Sequence, residues 1–273
     1  MRRTSLPIRA SLCKAVTLAF IASSLAGCGG QAEEASRESP LIASLPLPTA
    51  VVPTTPAEDS PRPTSDTLAT RYGFPTQIDP ASRYLFYLHG KILEDQGLPA
   101  ISPEFGEYEY EEILGVLESY GFVVVSEQRP RNADGWEYAQ RTARQVADLL
   151  AAGVPPGSIT VVGASKGAAI AVTVSYLVGN SEMSYVLLGT CHPSLIDEWR
   201  QQGVTLSGNV LAIYDFADDE YSGSCEELFD LSEGKGPSRH DEILLHVGTG
   251  HGILYEPLPE WVLPTVRWAS QEW

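Results

Sequence analysis

One pentapeptide in the chain has residue types suited to nucleophilic catalysis. Gly163-Ala164-Ser165-Lys166-Gly167 follows the apolar run 159–162 and leads into a small-residue stretch that continues to about residue 178. A serine hydroxyl is a weak nucleophile until a base takes its proton. On a sharp strand-to-helix turn it is held clear of the backbone, and glycines are needed where side chains would strike the adjoining strand and helix. For the base there are five histidines. His251, in Thr249-Gly250-His251-Gly252, follows the last apolar run and has small neighbours that let an imidazole reach the serine. His192, beside Cys191 and Pro193, is the rival; His246 reads as a strand residue and His240 as preceding that strand, at its wrong end. The base needs a carboxylate to fix its tautomer and stabilise the imidazolium. Asp218 in Asp215-Phe216-Ala217-Asp218-Asp219-Glu220 is the first choice, with Asp215 and Asp219 open as alternatives.

These residues must be positioned by a framework that the apolar pattern specifies. Short apolar runs at 84–88, 122–125, 159–162, 185–188, 210–214 and 243–247 read as buried strands. Amphipathic or small-residue stretches at 108–120, 139–152, 163–178 and 261–268 read as helices, the last with Pro264 inside or at its start. Continuous apolar strands alternating with helices predict an α/β fold: a mostly parallel sheet of about six strands with helices on both faces. In such sheets reactive residues gather beyond the C-terminal ends of the strands, where Ser165, Asp218 and His251 fall.

The order Ser165, Asp218, His251 resembles that of the α/β-hydrolase superfamily. Gly163–Gly167 is similar to its nucleophile elbow, 216–219 to its acid turn, 250–252 to its base loop, and His89-Gly90 after the run 84–88 to its oxyanion loop. The resemblance covers about residues 84–268. It implies a serine hydrolase acting through an acyl-enzyme, most simply on a small-molecule carboxylic ester, with the oxyanion held by the backbone N–H groups of Lys91 and Lys166. Peptidase, thioesterase and acyltransferase chemistry share that triad, and a non-catalytic envelope binding protein on the same fold is the alternative outside catalysis. Two departures stand out: the early antiparallel strands are missing or reduced to 71–78, and only about 20 residues separate the runs 185–188 and 210–214. Little or no lid is therefore expected, over a comparatively open pocket. Residues 161–169 are also similar to the start of the short-chain dehydrogenase fingerprint. Against that reading, this is the third strand, Ala168 or Ala169 replaces the third glycine, and no later Tyr has a Lys four residues on. His89, Glu94, Arg129 and His192 lie near the same rim and are expected to meet a polar or charged substrate, unless their charges pair with one another.

Residues 1–27 carry Arg2, Arg3, Arg9 and Lys14, no acid, and an apolar run over 15–25 that is short for a membrane span. Leu25-Ala26-Gly27-Cys28 resembles the bacterial lipobox, which implies cleavage before Cys28 and a diacylglyceryl anchor on its thiol. Residues 28–70 are rich in Pro, Ser and Thr and read as a tether. Forty or so such residues reach on the order of 100 Å when extended. The catalytic domain is expected over 71–273. This organisation implies a bacterial cell-envelope protein facing the periplasm or exterior, on the outer membrane by preference because Gly29 is not acidic. The chain has 18 basic and 35 acidic residues, net −17; without residues 1–27 the balance is 14 against 35, or −21. Such a surface repels phosphate backbones, so nucleic acid is not an expected partner. The 43% hydrophobic content is enough for a packed core and excludes global disorder. Of four cysteines, Cys13 leaves with the signal and Cys28 takes the lipid, so Cys191 and Cys225 are expected to form a disulfide. No Cys/His cluster has zinc spacing, and neither metal nor cofactor is expected.

Overall fold

Five of the six apolar runs become largely buried strands. The computed structural model describes residues 65–234 and 236–272. The expected signal segment, the Cys28 expected to carry a lipid and the tether up to residue 64 lie outside the described residues; residues 65–70, expected as the end of the tether, instead begin a helix whose Leu68 is buried in the core. In chain order the elements are α1 (Ser65–Tyr72), β1 (Arg83–Leu88), α2 (Lys91–Gln96), β2 (Ile101–Ser102), β3 (Gly106–Glu107), α3 (Tyr110–Ser119), β4 (Phe122–Val125), α4 (Gly135–Ala151), β5 (Ile159–Ala164), α5 (Lys166–Val178), β6 (Ser184–Leu188), α6 (Pro193–Gln202), β7 (Asn209–Asp215), α7 (Glu226–Leu231), β8 (Arg239–Leu245) and α8 (Pro259–Ala269). Six strands form one parallel sheet in the order β4-β1-β5-β6-β7-β8, and β2 and β3 make a small antiparallel pair.

Alternation along each strand feeds two cores. Leu85, Tyr87, Val162, Val186, Leu188, Leu211 and Ile213 face the side covered by α1, α3 and α8. Tyr84, Phe86, Ile159, Val161, Tyr185, Leu187, Val210 and Ala212 face the side covered by α4, α5, α6 and α7. The expected α/β architecture, six parallel strands with helices on both faces, is the one observed.

Chain direction across the sheet reverses between β1 and β5. From β1 the chain steps outward to β4; from β5 onward it steps the other way through β6, β7 and β8. The connection leaving β1 runs on one face, where Leu93 of α2 is buried, and α5 leaves β5 on the opposite face. Connections that diverge in this way open a crevice above the strand ends, which is where ligands bind in open α/β sheets.

Two differences from the sequence reading have physical causes. β8 starts at Arg239, four residues before the expected strand, and ends at Leu245, so His240 is inside the strand and His246 beyond it. β8 is an edge strand whose Arg-His-Asp-Glu start is solvent-exposed, so backbone pairing with β7 defines it rather than an apolar run. The six-residue α2 and α7 give too few turns for a periodic signal, and α6 is a mostly polar surface helix with only Ile196 and Trp199 buried.

Candidate active site

The turn after β5 has the geometry that its glycines permit. Ser165 adopts φ +54°, ψ −121°, a left-handed conformation costly for a residue with a side chain. Its amide donates to the carbonyl of Leu188 on β6 at 2.9 Å, which ties the strained residue to the sheet. A Cβ at Gly167 would stand 1.8 Å from the Leu88 carbonyl oxygen, and one at Gly163 would stand 2.2 Å from the Gly167 oxygen. Only glycine lets α5 start this close to β1 and β5.

The structure brings Ser165, His251 and Asp218 into one hydrogen-bonded chain. His251 Nε2 lies 2.8 Å from Ser165 Oγ, and His251 Nδ1 lies 2.6 Å from Asp218 Oδ2. An ionised carboxylate can only accept, so Nδ1 carries the proton and Nε2 accepts from the serine hydroxyl. Asp218 also accepts from Ser222 Oγ at 2.7 Å and from the Tyr221 amide at 3.3 Å. Burial raises its carboxyl pKa, but the hydrogen bond and charge of His251, with Ser222 and Tyr221, outweigh burial and hold it below the usual aspartate value.

The other carboxylates expected as alternatives lie elsewhere. Asp215, fully buried, accepts from the amides of Val247 at 2.8 Å and of Gly248 and Gly250 at 3.1 Å each, and so fixes the loop that carries His251. Asp219 is exposed. Cys191 and Cys225 form a disulfide. With the bridge between Cys191 and Ser222, it braces the segment that carries Asp218.

Lys91 and Lys166 are the first residues of α2 and α5, so their backbone N–H groups have no intrahelical acceptor. Gly90 packs against Ser165, since a Cβ on it would lie 3.6 Å from the serine Cβ. Both lysines are therefore next to Ser165 along the chain or in space.

None of the four expected substrate contacts lines the cavity beside Ser165 and His251. His89, Glu94 and Arg129 are buried and bond to one another. Arg129 Nε donates to Glu94 Oε1 at 2.7 Å, and its amide donates to His89 Nε2 at 2.9 Å. Burial, then the charge of Arg129, keeps the His89 imidazole well below its ordinary pKa and hence neutral. In the sequence these charges are 35 residues apart and read as a rim; tertiary packing lets them neutralise each other under it. His192 is the fourth. Its Nδ1 pairs with Ser194 at the start of α6, where it caps the helix. His246 and His240 are exposed, and His240 stacks on Phe229.

Ser165 and His251 open into a cavity of about 410 Å³. Its walls include Ile92, Phe105, Tyr108, Tyr221, Leu254 and Tyr255. Sequence reading did not single out Phe105 of this ring-lined wall, because it belongs to the excursion between β1 and α3, whose path no pattern reveals. Phe105 packs on Tyr255 at 5.2 Å between ring centroids and reaches Gly252 beside His251. That excursion covers one side of the site in place of a lid. A larger cavity of about 680 Å³ lies between α4, α5 and α6, and the serine hydroxyl does not line it. Among the described residues no three His, Cys, Asp or Glu side chains cluster as a metal site, and no helix is long and apolar enough to cross a membrane.

No protein-family model and no curated protein matches the sequence. Solved structures do resemble the chain. Est1E from Butyrivibrio proteoclasticus, solved with ferulic acid bound, is 12% identical over 73% of this chain and 92% of its own, with a TM-score of 0.48. A phospholipase/carboxylesterase from Dyadobacter fermentans is 12% identical over 64% of this chain and 90% of its own, with a TM-score of 0.43. An esterase/lipase from an uncultured bacterium is 14% identical over 70% and 76%, also with a TM-score of 0.43. Similarity at this level does not extend to substrate or activity.

Proposed function

We propose that this chain is a serine hydrolase of carboxylic esters, working through an acyl-enzyme and held at a bacterial membrane by a lipid on Cys28. The observation that carries the catalytic part is the bonded chain Ser165–His251–Asp218, with the serine in strained left-handed geometry. In this reading His251 Nε2 takes the Ser165 proton as Oγ attacks the ester carbonyl. The carbonyl oxygen becomes an oxyanion, held by the Lys91 and Lys166 backbone N–H groups. The tetrahedral intermediate then collapses, and His251 gives its proton to the departing alcohol. Water, activated by the same imidazole, hydrolyses the acyl-serine and restores the enzyme. Asp218 stays ionised throughout, as its lowered pKa requires. The membrane part rests on the sequence of residues 1–70.

The test is Ser165→Ala, assayed with p-nitrophenyl esters of short and long acids, the matching thioesters and anilides, and a fluorophosphonate probe. Turnover and labelling should both vanish with the hydroxyl. Full labelling of that variant overturns the assignment. The ratio of ester to thioester to anilide turnover in the unsubstituted protein assigns the acyl group. Metabolic labelling of the full chain with a palmitate analogue, lost in Cys28→Ala, tests the anchor.

A further inference from the structure

One buried carboxylate links the two helices that carry the expected oxyanion donors. Glu94 lies on α2, one turn after Lys91, and its side chain has no solvent exposure. Oε1 accepts from Arg129 Nε at 2.7 Å and Oε2 from Lys166 Nζ at 2.6 Å. Lys166 opens α5, and its Nζ also donates to the Ala133 carbonyl at 2.6 Å. Arg129 passes the contact on to β1, since its Nη2 donates to the carbonyl of His89 and its amide to His89 Nε2. Because Nε2 accepts, the neutral His89 carries its proton on Nδ1, which donates to the Gly90 carbonyl at 2.8 Å. That carbonyl belongs to the peptide whose N–H is that of Lys91. In a trans peptide the two point in opposite directions, so holding the carbonyl against His89 aims the Lys91 N–H the other way.

We infer that Glu94 is a positioning residue that sets the spacing and aim of the two oxyanion donors, one on α2 and one on α5. The inference rests on the hydrolase reading above. Without this carboxylate, α2 and α5 share no charged contact, and two donors 75 residues apart in sequence must still converge on one oxygen. An error of about 1 Å in such a placement costs on the order of 100-fold in rate. The cluster also joins two cations to one anion. If it acted only through its field, removing the anion would raise the rate by favouring the oxyanion; positioning predicts the opposite.

The experiment compares Glu94→Gln, Lys166→Met and Lys166→Arg in the full chain. Turnover of p-nitrophenyl acetate and inhibition by phenylboronic acid, which forms a tetrahedral adduct on the serine, are measured for each. Glu94→Gln and Lys166→Met should lower kcat roughly 10- to 100-fold, with KM within about twofold. The boronate inhibition constant should rise in step with the loss of kcat, and the midpoint of the pH–rate profile should stay unchanged. Lys166→Arg keeps the cation and should restore most of the rate. Glu94→Gln strands Arg129 in the interior; if it does not fold, Lys166→Met decides, since Glu94 and Arg129 remain paired there. A kcat within twofold of the parent in folded Lys166→Met, a kcat that rises in Glu94→Gln, or a loss confined to KM overturns the inference. A parent protein with no Ser165-dependent turnover overturns the hydrolase reading, and the inference with it.

Discussion

Asp218→Asn changes one atom at the centre of the proposed triad, and the structure sets which way the new amide turns. Asp218 Oδ2 serves two donors, His251 Nδ1 at 2.6 Å and Ser222 Oγ at 2.7 Å, while Oδ1 serves only the Tyr221 amide, at a weak 3.3 Å. The side chain is 1% exposed, so water does not substitute for a lost partner. With the amide oxygen toward His251, the new NH₂ group meets the Tyr221 N–H, donor against donor. With the oxygen toward Tyr221, the NH₂ group donates to Nδ1 and to the Ser222 oxygen, and every group is satisfied. The second arrangement wins. It forces the imidazole proton onto Nε2, facing Ser165, which then has no base. It also removes the charge that stabilises the imidazolium. The expected loss in kcat is roughly 10⁴-fold, or about 5.5 kcal/mol of barrier, with KM little changed. Steady-state kinetics of the folded variant at pH 7–8 measure it, with circular dichroism to show that the fold persists. A loss below tenfold, or a larger loss in Asp215→Asn than in Asp218→Asn, refutes this assignment of the acid.

Asp215→Asn should act mainly on stability, because a buried carboxylate that accepts from three amides of the base loop becomes half a donor. The expected cost is about 2–4 kcal/mol, read from urea unfolding; a variant as stable as the parent contradicts that role. Replacing Cys191 and Cys225 together with Ser should cost about 4 kcal/mol from the 34-residue separation that the bridge closes, and should lower kcat by loosening the Asp218 segment. An unchanged melting temperature under reducing conditions counts against it. His89 is held neutral, its folded-state pKa lying below the unfolded value of about 6.5. Its contribution is thus fully present above that pH and is lost as pH falls, because the unfolded chain binds a proton that the folded one refuses. Stability should drop below about pH 6.5 by up to about 1.4 kcal/mol per pH unit from this group. His89→Asn should flatten that slope; parallel curves for the two proteins exclude the effect.

Local chemistry made much of this legible. Short runs of Val, Ile, Leu and aromatic residues between turn signals suit strands buried on both faces, so the α/β class and five of the six main strands were readable along the chain. β8 was misplaced because an edge strand is defined by the partner that accepts its hydrogen bonds, not by its own polar start. The elbow was readable for a steric reason: a serine between two glycines after a strand is a local arrangement, and Gly163 and Gly167 are required by atoms a few ångströms away.

Residue order alone therefore specifies the kind of sheet, the strand end that bears Ser165, and a short set of candidate bases and acids. Which candidates meet was decided by tertiary structure alone. Ser165 and His251 are 86 residues apart, and His251 and Asp218 are 33 apart; only the parallel order β5-β6-β7-β8 sets them side by side. The same packing turned Asp215 from a rival acid into the anchor of the base loop, and drew His89, Glu94 and Arg129 from an expected substrate rim into a buried network. The physical reason is that a charge has no fixed role along a chain. Its role depends on the partners and the solvent that folding leaves within about 3 Å of it.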